Sequence, residues 1–196
     1  IVHLGINKAA FEMGVITLMN EMVTAETLPQ HYKRGLIVPI PKARKDLTVK
    51  VNNRGITLLS VMYKLFEMIL LDRDTEWLKR HDVIDELQGA GQDKCSSLHV
   101  SMLLQEAIAY NRNKGSSVYV AFLDIRKAFD TVWIPGLLLK LSTLGMNRKS
   151  LRLVSDGYKH FQCSVYIDGS WDDWFLPERG VHQGAPLSMR LYQIYG

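Results

Sequence analysis

Apolar residues recur at three- and four-residue spacing along much of the chain, the period of an amphipathic helix. From Gly5 to Glu26, the residues Phe11, Val15, Leu18, Met19 and Met22 fall on one side of a helix that Leu28-Pro29 ends. Between about Ser60 and Arg80, Met62, Leu65, Phe66, Ile69 and Leu70 mark the face of a second. Ser96 or Ser97 is placed to cap a third, running to about Asn113. Two shorter helices are expected around Pro135 to Leu144 and Ser150 to His160. Gly35 to Ile40 reads as a short apolar strand, and a loop with Pro39, Pro41 and a basic cluster follows it. Val118 to Leu123 is apolar at every position, which predicts a strand buried on both faces and ending at Asp124. Phe161, Cys163, Val165 and Ile167 alternate with Gln162, Ser164 and Tyr166 up to Asp168-Gly169, a two-residue hairpin turn from which Trp171, Trp174 and Phe175 return. Pro186 is expected to open a last helix. Helices packed outside an at least partly antiparallel sheet make the fold α+β.

Composition sharpens this picture in two places. The 196 residues are 47% hydrophobic and 22% charged, which excludes wholesale disorder and leaves room for one large domain or two small ones. The net charge of +4 is uneven: His31 to Arg54 carries +6 and the remainder −2. A local patch of Lys33, Arg34, Lys42, Arg44, Lys45, Lys50 and Arg54 on a near-neutral body points to contact with phosphates. Cys95 and Cys163 stand apart with no Cys or His at metal-ligand spacing, so neither zinc nor a disulfide framework is expected. The apolar stretch from Leu58 to Leu71 holds Lys64 and Glu67 and is too short to span a bilayer. With no basic-then-apolar leader, the expectation is an intracellular protein, nuclear or cytoplasmic and not secreted. A start at Ile1 and an end inside an apolar-periodic segment read as a piece of something longer.

Asp124 is the sharpest chemical feature. A carboxylate directly after six apolar strand residues is costly unless it is compensated, and bound metal ions would do so. The plainer reading is a cap on the following turn. Phosphatases that use an aspartyl-phosphate also place Asp after a buried strand but need a second Asp two residues on, where Arg126 stands here.

The string AFLDIRKAFDTVW from Ala121 to Trp133, with RGVHQGAPLS from Arg179 to Ser188, resembles the reverse transcriptases of non-LTR retrotransposons. GLIVPIPKARK (Gly35 to Lys45) and NNRGITLLSVMYKLFE (Asn52 to Glu67) are similar to the fingers motifs of that family, and LQGAG (Leu87 to Gly91) to the segment joining fingers and palm. The motifs stand in the family's order over residues 28–196.

The resemblance implies a right-hand polymerase fold with a helical lead-in at 1–30, fingers at 31–116 and a partial palm at 117–196. It implies an RNA-directed DNA polymerase working on an RNA template, a DNA primer and deoxynucleoside triphosphates, as part of a longer polyprotein. Asp124 would bind two Mg2+ ions, joined at one of them by the backbone carbonyl of Ile125. Phe129 would exclude a 2′ hydroxyl, and Gln183 with Gly184 would line the nucleotide and template pocket. Arg54, with Lys42 and Lys45, would grip the triphosphate. Lys33, Arg34, Arg44 and Lys50 would face nucleic acid, and Asp130 would cap or support the palm. Taken alone, Phe129 reads as a core aromatic and Gln183-Gly184 as an ordinary turn.

Several positions depart from the family pattern. Gly55 replaces a proline, Gln92 an aromatic, His182 an arginine, and Met189-Arg190 a Pro-Leu pair. The family's second metal motif, an aromatic residue, any residue, then Asp-Asp, is not reached by Gly196, nor is the thumb. The chain alone is therefore expected to be inactive, and a nucleic-acid-binding remnant without catalysis is the alternative.

Overall fold

The computed structural model describes residues 8–42, 52–85, 87–92 and 94–196. Helix α1 (Lys8–Ala25) is followed by a short 3-10 turn (Gln30–Tyr32), strands β1 (Arg34–Pro41) and β2 (Asn53–Leu59), and helices α2 (Val61–Arg80) and α3 (Ser97–Asn113). A second 3-10 turn (Phe129–Thr131) precedes α4 (Ile134–Thr143) and α5 (Arg148–Tyr158), then the hairpin β3 (Gln162–Ile167) and β4 (Ser170–Trp171), and α6 (Ser188–Tyr195). The described residues contain no helix long and apolar enough to cross a membrane.

Local chemistry sets these boundaries. The Ser60 hydroxyl accepts the Tyr63 N–H at 3.1 Å and starts α2. Ser96 and His99 form a reciprocal cap at the start of α3, and the Asn147 side chain accepts the Lys149 N–H at the start of α5. Asp168 and Gly169 both take positive φ, 49° and 85°, as a tight hairpin turn matched to strand twist requires.

The sheet runs β2-β1-β3-β4 and is mixed. β1 pairs antiparallel with β2 from Gly35 opposite Leu59 to Pro41 opposite Asn53, but parallel with β3 over Arg34 to Ile37. The sheet is thus partly antiparallel, as the sequence led one to expect, with one parallel pairing at its centre. Pro39 and Pro41 lie past the β3 pairing, where a missing N–H leaves no gap in that ladder. The core gathers Tyr63, Phe66 and Leu70 of α2, Leu137 and Leu141 of α4, Leu153 of α5, and Leu191 of α6, with Met19 and Met22 of α1 closing it.

Three expectations are corrected, and one expected helix stands without a buried face. Val118 to Leu123 forms no strand, and Tyr119 and Leu123 are 95% and 96% exposed. An apolar run becomes a buried strand only beside a partner, and none of the described strands pairs with it. Helix α3 forms as expected but buries none of its side chains, with Leu98, Met102 and Leu103 facing outward. Phe11 of α1 is exposed, the buried stripe of that helix starting only at Met19. Pro186 lies in the turn ahead of α6, which begins at Ser188.

Candidate functional site

The segment Arg179–Ser188 is the most heavily supported turn of the molecule. The Gly180 N–H donates to Val132 O at 2.8 Å and the Val181 N–H to Phe129 O at 2.9 Å, stitching it to the end of the AFLDIRKAFDTVW string. Gly180 (φ 98°) lies so close to Asp130 that a Cβ would stand 3.1 Å from that residue's backbone. Asp130 itself is exposed and supports the turn through its main chain.

His182 is buried among aromatic rings: stacked on Tyr158 at 4.7 Å, with Phe161 at 3.9 Å and Tyr63 at 6.2 Å. Burial pulls its pKa down to about 3, so the imidazole is neutral where an arginine would carry charge. Next along, Gln183 turns its carbonyl onto the Thr57 N–H of β2 at 2.7 Å. Gly184 has φ 116°, and a Cβ there would stand 3.1 Å from Thr57 O and 3.4 Å from the Ile56 side chain. Glycine is required by this contact with β2, before any ligand is considered. The Leu187 N–H donates to the Glu67 carboxylate of α2 at 3.3 Å.

Helix α6 ties in the remaining motifs. Tyr192 stacks on Phe129, ring centroids 5.1 Å apart at 17°. Gln193 donates to Ala90 O and accepts from Arg190, and its carbonyl takes the Gln88 amide. A Cβ on Gly91 would collide with Gln193 and Met189, both at 2.9 Å. Strings that are separate in sequence thus meet around the Arg179–Ser188 turn and the helix that follows it.

Phe129, Gln183 and Gly184 are therefore brought together, and Arg54 stands near them. Arg54 and Ile56 alternate onto one face of β2, the face that Gly184 approaches, and Arg54 is exposed. Lys42 lies at the same end of the hairpin, its N–H bonded to Asn52 O. Phe129 is half-buried, so its ring serves the core on one side only. Arg44, Lys45 and Lys50 lie outside the described residues.

Asp124 and Ile125 do not join this group. Both are exposed in the extended segment that pairs with no strand, and no hydrogen bond or ion pair links them to Phe129, Gln183 or Gly184 among the described residues. Nor do those residues hold any cluster of three His, Cys, Asp or Glu able to bind a metal ion. Lys33 leaves the expected basic patch altogether. It is 4% exposed, and its ammonium is 2.6 Å from Asp156 of α5, a buried ion pair that spends the charge inside the fold. Arg34 is exposed but occupied, with its guanidinium 5.2 Å over Trp174 and bonded to Gln162.

Thr57, Glu67, His182 and Tyr192 are supports to which sequence reasoning assigned no role in the site. Glu67 and His182 did leave a trace, as polar residues where the apolar pattern calls for core.

Comparisons with known proteins identify the family. The family described as reverse transcriptase (RNA-dependent DNA polymerase) matches residues 40–195. The chain is 33% identical over 184 residues to a probable RNA-directed DNA polymerase from transposon X-element of Drosophila melanogaster, covering 92% of this chain and 20% of that protein. It is 28% identical to the RNA-directed DNA polymerase from mobile element jockey of Drosophila funebris, over 92% of this chain and 20% of the relative. Identity is 27% to the Pol polyprotein of the type-1 retrotransposable element R2 of Nasonia vitripennis, over 90% of this chain and 17% of the relative. The chain thus spans about a fifth of the length of the curated relatives it matches. Motifs in one order, gathered by the fold around one turn and matched along most of the chain, place it in the reverse transcriptase (RNA-dependent DNA polymerase) family, in its non-LTR retrotransposon branch.

Proposed function

We propose that the protein carrying this chain copies RNA into DNA, and that the Arg179–Ser188 turn with Phe129 and Arg54 forms its nucleotide pocket. The observation that carries this reading is that one turn joins Phe129, through the Val181 N–H, to Gln183 and Gly184, which pack on β2, the strand that bears Arg54. Gln183 and Gly184 place a polar side chain and an open backbone at that edge. Arg54, with Lys42 at the adjoining hairpin end, supplies cations for a triphosphate, and Lys45 is proposed to join them from its place in the sequence. The uncovered side of Phe129 is the steric element that rejects a 2′ hydroxyl. Residues 31–116 serve as fingers and 117–196 as the front of the palm, with the sheet crossing from one to the other. Template, primer and the remaining polyprotein complete the assembly.

Asp124 is proposed as a metal ligand, with the Ile125 carbonyl beside it. Two oxygen donors fall short of the six that octahedral Mg2+ takes, so the described residues do not by themselves fit the two ions. Their share in the reaction is to offer that carboxylate at an open position on the surface.

Primer extension on a primed RNA template, with Mg2+ and labelled deoxynucleotides, tests the reading in the longest protein that contains these residues. Extension is expected from the wild type and lost in Asp124→Ala. Equal extension by Asp124→Ala refutes the assignment of that residue, and no extension by a folded wild type refutes the function.

A further inference from the structure

The two ends of the turn that carries Gln183 and Gly184 are held by one continuous piece of chain. Thr57 of β2 takes the Gln183 carbonyl at 2.7 Å, and ten residues later Glu67 of α2 takes the Leu187 N–H at 3.3 Å. The motif from Asn52 to Glu67 therefore works as a clamp whose jaws are a strand amide and a helix carboxylate.

The second jaw is chemically expensive. Glu67 is 3% exposed and lies on the stripe of Tyr63, Phe66 and Leu70. No salt bridge reaches it among the described residues, and the cavity beside it, about 10 Å3 between Tyr63, Tyr158 and Leu187, leaves no room for a hydrated counter-ion. A buried carboxylate with only the Leu187 amide and the Tyr63 hydroxyl beside it, and no cation paired to it, costs more than those contacts return, so a stability role alone does not explain it.

We propose that Glu67 is a positioning residue for the Gln183–Gly184 turn, holding the Leu187 N–H tightly in its ionised form and more weakly once protonated. The effect on nucleotides rests on the reading of that turn as the nucleotide pocket. Burial pushes the Glu67 carboxyl up to about 7, while the Leu187 and Tyr63 contacts and the charge of Lys64 pull the other way. The remaining groups around it hold their charge state near neutral pH. Tyr63 of α2 and Tyr158 of α5 are pushed well above their ordinary values by burial, and His182 from the turn is held neutral. Asp156 of α5 stays ionised on Lys33, which precedes β1. Glu67 alone of this group changes charge between pH 6 and 8.

The Leu187 amide, followed by 1H–15N NMR in the 196-residue chain from pH 5.5 to 8.5, tests the coupling without any variant. Its resonance is expected to titrate with a midpoint near that of Glu67, with the Thr57 amide following at the same midpoint. Glu67→Gln is expected to abolish both titrations, and Glu67→Asp to retain them at a shifted midpoint. A Leu187 amide that does not titrate, or one that still titrates in a folded Glu67→Gln, overturns the proposal. Affinity for a deoxynucleoside triphosphate with Mg2+ then reads the consequence. It is expected to fall about tenfold from pH 8 to pH 6, in proportion to the ionised fraction, and to be flat in Glu67→Gln. Titrating amides with no nucleotide binding at any pH leave the clamp standing and refute the pocket instead.

Discussion

Replacing Lys33 with methionine keeps the length of the side chain and deletes its charge, leaving Asp156 with two of its three partners. Those are the Leu28 N–H at 2.7 Å and the Thr27 hydroxyl at 3.1 Å. Removing one member of a buried ion pair costs about 3–5 kcal/mol. Asp156 retains these donors and its side chain is 18% exposed, so the cost falls at or just below the bottom of that range, about 2–3 kcal/mol. Changing Asp156 to asparagine in the same molecule removes the orphaned charge while keeping an acceptor for Leu28, and is expected to recover all but about 1 kcal/mol. Urea unfolding measures both: with a slope of about 2 kcal/mol per molar, the single change moves the midpoint down by about 1 M. Acid titration adds a second readout. Burial raises the Asp156 carboxyl, but Lys33, Leu28 and Thr27 outweigh it, so the net shift is downward. Its contribution is thus present above the ordinary carboxylate value and lost as pH falls through the depressed one, a slope that Lys33→Met reduces. A single variant within about 0.5 kcal/mol of wild type refutes the argument. So does one that keeps its stability and loses nucleic-acid affinity, because the ammonium would then have been facing a ligand.

Gly184→Ala combines a positive φ with a methyl 3.1 Å from Thr57 O, and is expected to cost about 2 kcal/mol and to free the Thr57 amide for hydrogen exchange. A double-mutant cycle of Phe129→Ala and Tyr192→Ala should return a coupling of about 1 kcal/mol for the stacked pair. In primer extension, Phe129→Ala should admit ribonucleotides that the wild type rejects. Thermal stability against pH should be nearly flat from pH 4.5 to 6.5, because two groups oppose each other there. Glu67, raised to about 7, gives stability that is full below its ordinary 4.5 and lost as pH rises through 7. His182, lowered to about 3, gives stability that is full above its ordinary 6.5 and lost as pH falls through 3. Glu67→Gln should therefore unmask a decline on acidification, and His182→Gln a decline on raising the pH.

What the sequence made legible was set by local rules. Ser60 and Ser96 mark helix starts because a side-chain oxygen must meet a free N–H within three residues, whereas Asn147, which caps α5, went unread. Asp168-Gly169 marks a hairpin because both residues tolerate positive φ. Where a distant partner decides, the same reasoning fails. Val118 to Leu123 has the pattern of a central strand, yet no described strand lies beside it and its side chains stay in water. Lys33 counts toward a basic cluster by position, but Asp156, placed by α5 far along the chain, claims it. The parallel pairing of β1 with β3 is invisible for the same reason, since alternation identifies a strand and not its neighbour.

The candidate site sits on the boundary between these two regimes, which explains why half of it was readable. Gly180 and Gly184 are demanded by backbone conformation and close approach, so they stand out in the sequence as glycines with no free choice. Thr57 contributes only its amide, and any residue but proline supplies one, so the side chain at that position carries no sign of the contact. Glu67 and His182 lie between these cases. Each is a buried polar residue, Glu67 on the apolar stripe of α2 and His182 in the turn, and an apolar residue in either place would cost the fold less. The local pattern cannot say what such a residue touches, but it does say that something far along the chain must be compensating for it. In this chain the compensating structure for Glu67 is the Leu187 amide, three residues after the glycine that the motif already marks.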